Sequence, residues 1–111
     1  VNDLLSVKKE IVCGDNLVTI LYAKLGSPQE AVNHIVDSIR RTIIEFDGTA
    51  KRLRIRYSTD PDVLTDLESF IDGCRYYCTA NLTWSLSTTR YGVHQESDLD
   101  NIRIVLGETI D

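Results

Sequence analysis

The chain has 111 residues, a net charge of −5, and 42% hydrophobic and 26% charged residues, which is the size of one domain and an ordinary composition for a soluble globular protein. The acidic balance argues against a nucleic-acid-binding protein, whose surface would be basic, and no apolar run approaches the length of a membrane span. We therefore expect neither nucleic acid nor a membrane as a partner. Three cysteines at irregular spacing give no disulfide framework, so we expect a reducing, cytoplasmic setting.

The first predicted helix, Asn2–Glu10, brings three oxygen-bearing side chains to one face. Asn2, Ser6 and Glu10 follow at steps of four residues, and side chains at this spacing form a row along a helix. An amide, a hydroxyl and a carboxylate suit Mg²⁺, which takes few protein oxygens and completes its shell with water and substrate phosphates. Lys9 can reach the same phosphates. The segment therefore predicts a metal and pyrophosphate site, and the alternative is an ordinary helix start with a solvated face.

The second predicted helix is short and mostly buried. Residues 11–14 break the first helix, and Asp15 is the predicted N-cap of the next one. Gly26 ends it, as glycine commonly does at the position after a helix.

The third predicted helix is long. Ser27, Pro28 and Glu30 combine a capping box with a proline at the first helical position. An alternating strand over residues 52–57 is the alternative near its end, but the helical stripe passes through that stretch in phase. The apolar residues follow at alternating steps of four and three, as in a seam packed against other helices, and are Val32, Val36, Ile39, Ile43, Phe46, Ala50, Leu53 and Tyr57.

Asp60 and Pro61 repeat the signature of a cap followed by proline and predict a fourth helix, which runs on to Gly92. Just before that glycine stand Arg90 and Tyr91. The guanidinium of Arg90 is a planar fork of donors that matches a phosphate, and Tyr91 adds a hydroxyl donor beside it.

The fourth helix carries a stripe that is apolar in its first half and polar in its second half. Asn81, Ser85 and Thr88 continue the stripe without loss of phase. Because unpaired polar groups are costly in a dry core, we expect these residues to face a cavity flanked by Tyr77 and Trp84. A hydrogen-bond network between helices is the alternative.

The remaining sequence suggests one all-helical unit over residues 1–92 and an acidic tail over residues 93–111. The tail holds five acids against one base, Arg103, and is either a loose terminus or a lid. The chain begins at Val1 without an initiator methionine, and the metal motif starts at the next residue. We therefore expect the chain to be the C-terminal part of a larger protein.

Two motifs stand in order along the chain, NDxxSxxKE over Asn2–Glu10 and NxxWSxxxxRY over Asn81–Tyr91. Together with the sequence FIxGC over residues 70–74, they resemble the C-terminal part of a class I terpene synthase and are most similar to the fungal sesquiterpene cyclases. The resemblance extends to Tyr91. It implies an all-α fold, namely the C-terminal helices of the class I terpenoid synthase helical bundle, which would be incomplete on its own.

The resemblance also implies three groups of site residues. One of the three Mg²⁺ ions that the family uses is held at the positions of Asn2, Ser6 and Glu10. The substrate diphosphate is contacted at the positions of Lys9, Arg90 and Tyr91. The cavity in which a carbocation is stabilised is lined at the positions of Trp84, Asn81, Tyr77 and Ser85.

The implied activity is that of a Mg²⁺-dependent lyase that ionises and cyclises a prenyl diphosphate, with farnesyl diphosphate favoured, and releases diphosphate. The family's aspartate-rich metal motif is nowhere in this chain, which contains no two adjacent aspartates. We therefore expect the 111-residue chain alone to be inactive and to need the N-terminal remainder of its domain. Geranylgeranyl diphosphate as substrate, a homodimer, and a catalytically silent helical module that binds Mg²⁺ or a protein partner stay open.

Overall fold

The computed structural model describes residues 1–93 and 102–106. These residues form helices and contain no strand, which confirms the prediction of an all-α fold. Within the same residues, no helix combines the length and the apolar character needed to cross a membrane. In chain order the elements are α1 (Asn2–Glu10), α2 (Leu17–Leu25), α3 (Pro28–Arg56), α4 (Pro61–Ser87) and a short 3₁₀ turn (Thr89–Tyr91).

The starts of the two long helices follow the predicted capping signals. Ser27 Oγ accepts a hydrogen bond from the backbone N–H of Glu30 at 3.3 Å, and Asp60 Oδ1 accepts one from Val63 at 3.3 Å. Each side chain satisfies a backbone donor that the first helical turn leaves unpaired. Helix α3 continues through residues 52–56, so the strand considered for that stretch is excluded.

Helix α2 differs from the prediction at its start and in its burial. The N-cap is Asn16 and not Asp15, since Asn16 Oδ1 accepts a hydrogen bond from the N–H of Val18 at 2.9 Å. Gly26 ends the helix as predicted, in the left-handed region with φ of 78°. The expectation of a mostly buried helix is wrong in this chain, because only Val18 is buried and the other large side chains of α2 are partly or largely exposed.

Helix α4 ends earlier than predicted. It stops at Ser87, Thr88 is extended, and the 3₁₀ turn follows, with Gly92 closing it at φ of 68°. The hydroxyl of Thr88 accepts a hydrogen bond from the N–H of Arg90 at 3.3 Å. A threonine side chain that binds a neighbouring backbone donor competes with helix continuation. Arg90 and Tyr91 therefore belong to the 3₁₀ turn and not to α4.

The core consists of two clusters of buried side chains on either side of α1. The first cluster combines Leu5 of α1 with three residues near the end of the chain, and these are Leu86, Tyr91 and Val93. The second cluster combines Val7 of α1 with residues of α2 and α3, and these are Val18, Ala31 and Ile35. Ile104 packs against both clusters. The five tail acids lie outside the described residues.

Helices α3 and α4 extend away from this core as a pair. Their outer parts are joined by ion pairs, Arg54 with Glu68 through two hydrogen bonds and Arg75 with Asp47 at 2.8 Å. Large apolar side chains on both helices are more than half exposed, and among them are Ile44, Ile55, Phe70 and Tyr76. Apolar faces of this extent usually pack against another element, which agrees with a segment of a larger helical bundle.

Candidate metal and diphosphate site

Two oxygen-bearing side chains of α1 meet at its C-terminal end. Ser6 is fully buried, and its hydroxyl donates a hydrogen bond to Glu10 Oε2 at 2.6 Å. The two residues are four apart, so the helix itself places one side chain above the other. Glu10 is the last residue of α1, and its side chain keeps about a quarter of its surface open to solvent.

Asn16 reaches the same carboxylate from the start of α2. Its Nδ2 lies 3.0 Å from Glu10 Oε2, 3.5 Å from Ser6 Oγ and 2.8 Å from the backbone oxygen of Asp3. Sequence reasoning did not assign Asn16 to the site. Its residue type could have indicated a contact with the site. Asparagine at an N-cap accepts a hydrogen bond with its amide oxygen and donates with its amide nitrogen, whereas aspartate can only accept.

The surroundings of Glu10 keep its carboxyl group ionised. The hydrogen bond from Ser6 lowers the pKa of Glu10 most, and the bond from Asn16 lowers it further. Partial burial opposes this shift, while the positive charges of Lys9 and Arg90 favour the carboxylate. The ammonium of Lys9 lies 3.9 Å from Glu10 Oε1. An ionised carboxylate flanked by donors and cations is therefore present at the end of α1.

The 3₁₀ turn packs directly against α1. Asn2 Nδ2 donates a hydrogen bond to the hydroxyl of Tyr91 at 3.3 Å, and Lys8 Nζ donates one to the backbone oxygen of Gly92 at 3.2 Å. Tyr91 and Lys8 are both only 8% exposed, so the two contacts belong to a packed interface. The structure thus brings together the two predicted motifs, which residues 11–80 separate in the sequence. Arg90 remains exposed beside them.

The four predicted cavity residues occupy different environments. Trp84 contacts Tyr91 edge to face, with ring centroids 5.8 Å apart and planes at 88°, and remains half exposed. Ser85 is fully buried, and its hydroxyl has no hydrogen-bond partner among the described residues. Asn81 is half-buried and Tyr77 is largely exposed. Trp84 is thus placed beside the predicted diphosphate residues.

An apolar groove of about 620 Å³ lies between α1, α3 and α4. Four residues of the predicted α3 seam line it, and these are Val32, Val36, Ile39 and Ile43. Leu5 and Leu82 contribute from the other two helices. None of the four predicted cavity residues lines this groove, so the polar stripe of α4 and the aliphatic groove are separate features.

The residue types predicted along α1 are ones that Mg²⁺ accepts, because it prefers carboxylate and neutral oxygen ligands. Ser6 and Glu10 are in direct contact through the hydrogen bond of 2.6 Å. Asn2 uses its nitrogen for Tyr91, which leaves its amide oxygen for a cation. The described residues contain no cluster of three or more His, Cys, Asp or Glu that could hold a metal. A single carboxylate with neutral oxygens is the kind of set that Mg²⁺ supplements with phosphate oxygens.

Comparison with curated proteins identifies the relatives of the chain. It is 42% identical over 96 residues to the sesquiterpene cyclase hepA of Aspergillus oryzae, a match that covers 83% of this chain and 26% of that protein. It is 34% identical over 96 residues to isoafricanol synthase of Streptomyces violaceusniger, which covers 81% of this chain and 25% of the relative. The chain is homologous to the terpene synthases.

A third terpene synthase relative is (+)-T-muurolol synthase ((2E,6E)-farnesyl diphosphate cyclizing) of Roseiflexus castenholzii, at 35% identity over 99 residues, covering 86% of this chain and 29% of that protein. No family model and no solved structure matches the chain. The chain spans about a quarter of the length of these terpene synthases. The resemblance to terpene synthases, and to sesquiterpene cyclases in particular, is confirmed, and a partial match of this kind is consistent with a C-terminal segment.

Proposed function

We propose that the protein containing this chain is a Mg²⁺-dependent terpene cyclase that ionises and cyclises farnesyl diphosphate and releases diphosphate. The observation that carries the proposal is the contact between α1 and the 3₁₀ turn, which puts Asn2 and Glu10 on the same side of the molecule as Arg90 and Tyr91. The names of the relatives support the choice of a sesquiterpene precursor, since one is called a sesquiterpene cyclase and another a farnesyl diphosphate cyclizing enzyme.

In this proposal, Asn2, Ser6 and Glu10 hold one of three Mg²⁺ ions. When bound, the ion supplies positive charge that neutralises the leaving diphosphate. Glu10 is suited to this task because the bonds from Ser6 and Asn16 lower its pKa and keep it ionised. The aspartate-rich segment that the resemblance to terpene synthases implies is not in this chain. In the proposal it belongs to the rest of the protein and supplies the other metal ligands. We therefore propose that the 111-residue chain is inactive without the N-terminal remainder of its domain.

The cations and the tyrosine act on the diphosphate directly. When the allylic C–O bond breaks, its electron pair stays with the diphosphate oxygen, and Lys9 and Arg90 stabilise the charge that develops there. The hydroxyl of Tyr91 accepts a hydrogen bond from Asn2, so its own proton remains available for a phosphate oxygen. A hydroxyl that accepts one hydrogen bond is also polarised to donate a stronger one.

In this proposal, Trp84 stabilises the carbocation that forms when the diphosphate leaves. Its ring contacts Tyr91 edge to face and remains half exposed. An indole face attracts cations, and this attraction is stronger where water is excluded. We propose that Trp84, with Asn81, Tyr77 and Ser85 on the same helix, lines the cavity that the rest of the domain closes. The cytoplasmic location and the homodimer stay predictions from the sequence.

The test uses the longest natural protein that contains this segment. The protein is incubated with farnesyl diphosphate and Mg²⁺, and the organic extract is analysed by gas chromatography with mass detection. We expect a sesquiterpene that is lost on chelation of the metal, and none from the 111-residue chain assayed in parallel. Glu10→Gln should lower turnover by orders of magnitude, whereas Glu45→Gln, which removes the same charge from an exposed position on α3, should not.

Three results would contradict the proposal in distinct ways. A hydrocarbon from geranylgeranyl diphosphate alone would contradict the choice of substrate. Product formation by the isolated chain would contradict its inactivity. A folded protein that converts neither diphosphate would refute the cyclase and favour a silent helical module.

A further inference from the structure

Asn16 is a buried polar residue for which the proposed reaction has no direct use. We propose that Asn16 is a positioning residue of the metal site, whose side-chain amide holds Glu10 and Ser6 in the arrangement that binds Mg²⁺. This inference rests on the proposed function. It assigns a role to a side chain on α2, outside the motif that resembles the metal-binding segment of the terpene synthases.

The amide of Asn16 is fully used, although the residue is only 2% exposed. Its Nδ2 carries two protons and has three acceptors within reach, of which the backbone oxygen of Asp3 at 2.8 Å and Glu10 Oε2 at 3.0 Å are the closer two. Ser6 Oγ at 3.5 Å is a weaker third partner. One nitrogen therefore contacts the helix backbone and two of the three predicted metal ligands.

The orientation of the amide follows from its neighbours. Its oxygen accepts the hydrogen bond from the N–H of Val18, and the opposite orientation would place that oxygen against the carboxylate of Glu10 and the carbonyl of Asp3. Acceptors on one side and a donor on the other leave a single satisfied arrangement. Val18 is itself packed in the core with Val7 of α1. The position of the Asn16 nitrogen is thus set by the packing of α1 against α2.

This arrangement restrains one carboxylate oxygen and leaves the other open. Glu10 Oε2 accepts hydrogen bonds from Ser6 and Asn16, whereas Oε1 lies 3.9 Å from the ammonium of Lys9. Without Asn16 the carboxylate loses one of these two hydrogen bonds and is held by Ser6 alone. Loss of a hydrogen bond that orients a metal ligand typically lowers metal affinity about 10- to 100-fold, and we expect the lower end here because Ser6 still holds Glu10.

The test measures metal binding in the complete protein, with inorganic diphosphate as the probe. Isothermal titration gives the Mg²⁺ concentration at half-saturation for wild type, Asn16→Ser and Asn16→Ala. Serine is a good N-cap but is too short to reach Glu10, so Asn16→Ser keeps the start of α2 and removes the contact with the metal site. Ser27→Ala is the matched control, because it removes a cap from α3 far from the site.

We expect the half-saturating Mg²⁺ concentration to rise about tenfold in both Asn16 variants and to stay unchanged in Ser27→Ala, although that variant melts at a lower temperature. Excess Mg²⁺ should restore kcat of Asn16→Ser, which a fold defect would not allow. Wild-type Mg²⁺ affinity in Asn16→Ser would overturn the inference and leave the proposed function intact. Wild-type protein that binds no Mg²⁺ with diphosphate would refute both.

A crystal structure of the wild-type protein with Mg²⁺ and inorganic diphosphate provides a measurement that does not depend on a variant being folded. We expect Asn16 Nδ2 to remain within hydrogen-bond distance of the Glu10 carboxylate when the metal is bound. A separation beyond that distance would overturn the inference, whatever the variants show.

Discussion

Removal of the Tyr91 hydroxyl should cost little stability and much activity. Tyr91→Phe keeps the buried ring and its contact with Trp84, and deletes only the hydroxyl, which accepts the bond from Asn2. A typical hydrogen bond contributes about 0.5–1.5 kcal/mol to stability. The distance of 3.3 Å is longer than the usual ~2.9–3.0 Å, so we expect a loss of about 0.5 kcal/mol. In a complete protein several times longer than this chain, this loss lowers Tm by about 1 °C or less.

The effect on turnover should be larger, because the hydroxyl would donate to a charged leaving group in the reaction. Hydrogen bonds to charged groups contribute about 1.5–3 kcal/mol, which corresponds to a loss of roughly 10- to 100-fold in kcat/KM. The assay combines thermal melting with release of diphosphate from farnesyl diphosphate in the complete protein. Tyr22→Phe, on the exposed side of α2, is the matched control and should change neither quantity.

The comparison of the two quantities tests the reasoning. If Tyr91→Phe melts several degrees lower and its activity falls only in proportion to the unfolded fraction, the hydroxyl has a structural role alone. Wild-type turnover with unchanged melting would mean that the hydroxyl contacts neither Asn2 nor the diphosphate. A double variant with Asn2→Ala then shows whether the two side chains are coupled, since coupled residues give stability effects that do not add.

Two further predictions concern the carboxylate and the aromatic wall. Ser6→Ala removes the largest cause of the lowered pKa of Glu10, so this pKa should rise toward its ordinary value of 4.5. A lowered pKa stabilises the folded protein above that value, and this stability is lost as the pH falls through the pKa of the folded state. The variant should therefore gain less stability from Glu10 and lose it at a higher pH on acidification. Carbon NMR of the Glu10 carboxyl group in metal-free protein measures the shift, and an unchanged titration would contradict the Ser6 bond. Trp84→Leu should change the product mixture while Mg²⁺ affinity stays the same, because Trp84 contacts the ring of Tyr91 and is not one of the proposed metal ligands. An identical product profile would remove Trp84 from the cavity.

The parts of the fold that sequence predicted well depend on local chemistry. Ser27 and Asp60 cap their helices through bonds to residues three positions later, and Gly26 adopts the left-handed conformation that glycine favours. The partners of such bonds are fixed by spacing alone. Helix existence and most helix starts could therefore be read from the sequence without knowledge of the tertiary structure.

The wrong predictions concern residues for which local and distant hydrogen-bond partners compete. Thr88 can either continue α4 or end it by accepting a hydrogen bond from the N–H of Arg90. In the structure α4 ends there, and Tyr91 contacts Asn2 of α1. Asp15 and Asn16 are both good N-caps, but only Asn16 can also donate to Glu10 and to the backbone of Asp3. Neither outcome could be chosen from the sequence, because the deciding partner belongs to another helix.

The same dependence on distant partners applies to the proposed metal site as a whole. Helix α1 has nine residues, fewer than the roughly 12–15 that an isolated helix needs to be even marginally stable in water. It is held by Leu5 in one core cluster and Val7 in the other, and Lys8 ties it to Gly92. The proposed row of oxygen ligands therefore depends on the packing of α2, α3 and α4 around α1. Weakening either core cluster should lower Mg²⁺ affinity before it unfolds the protein, because a ligand row on a frayed helix loses its spacing.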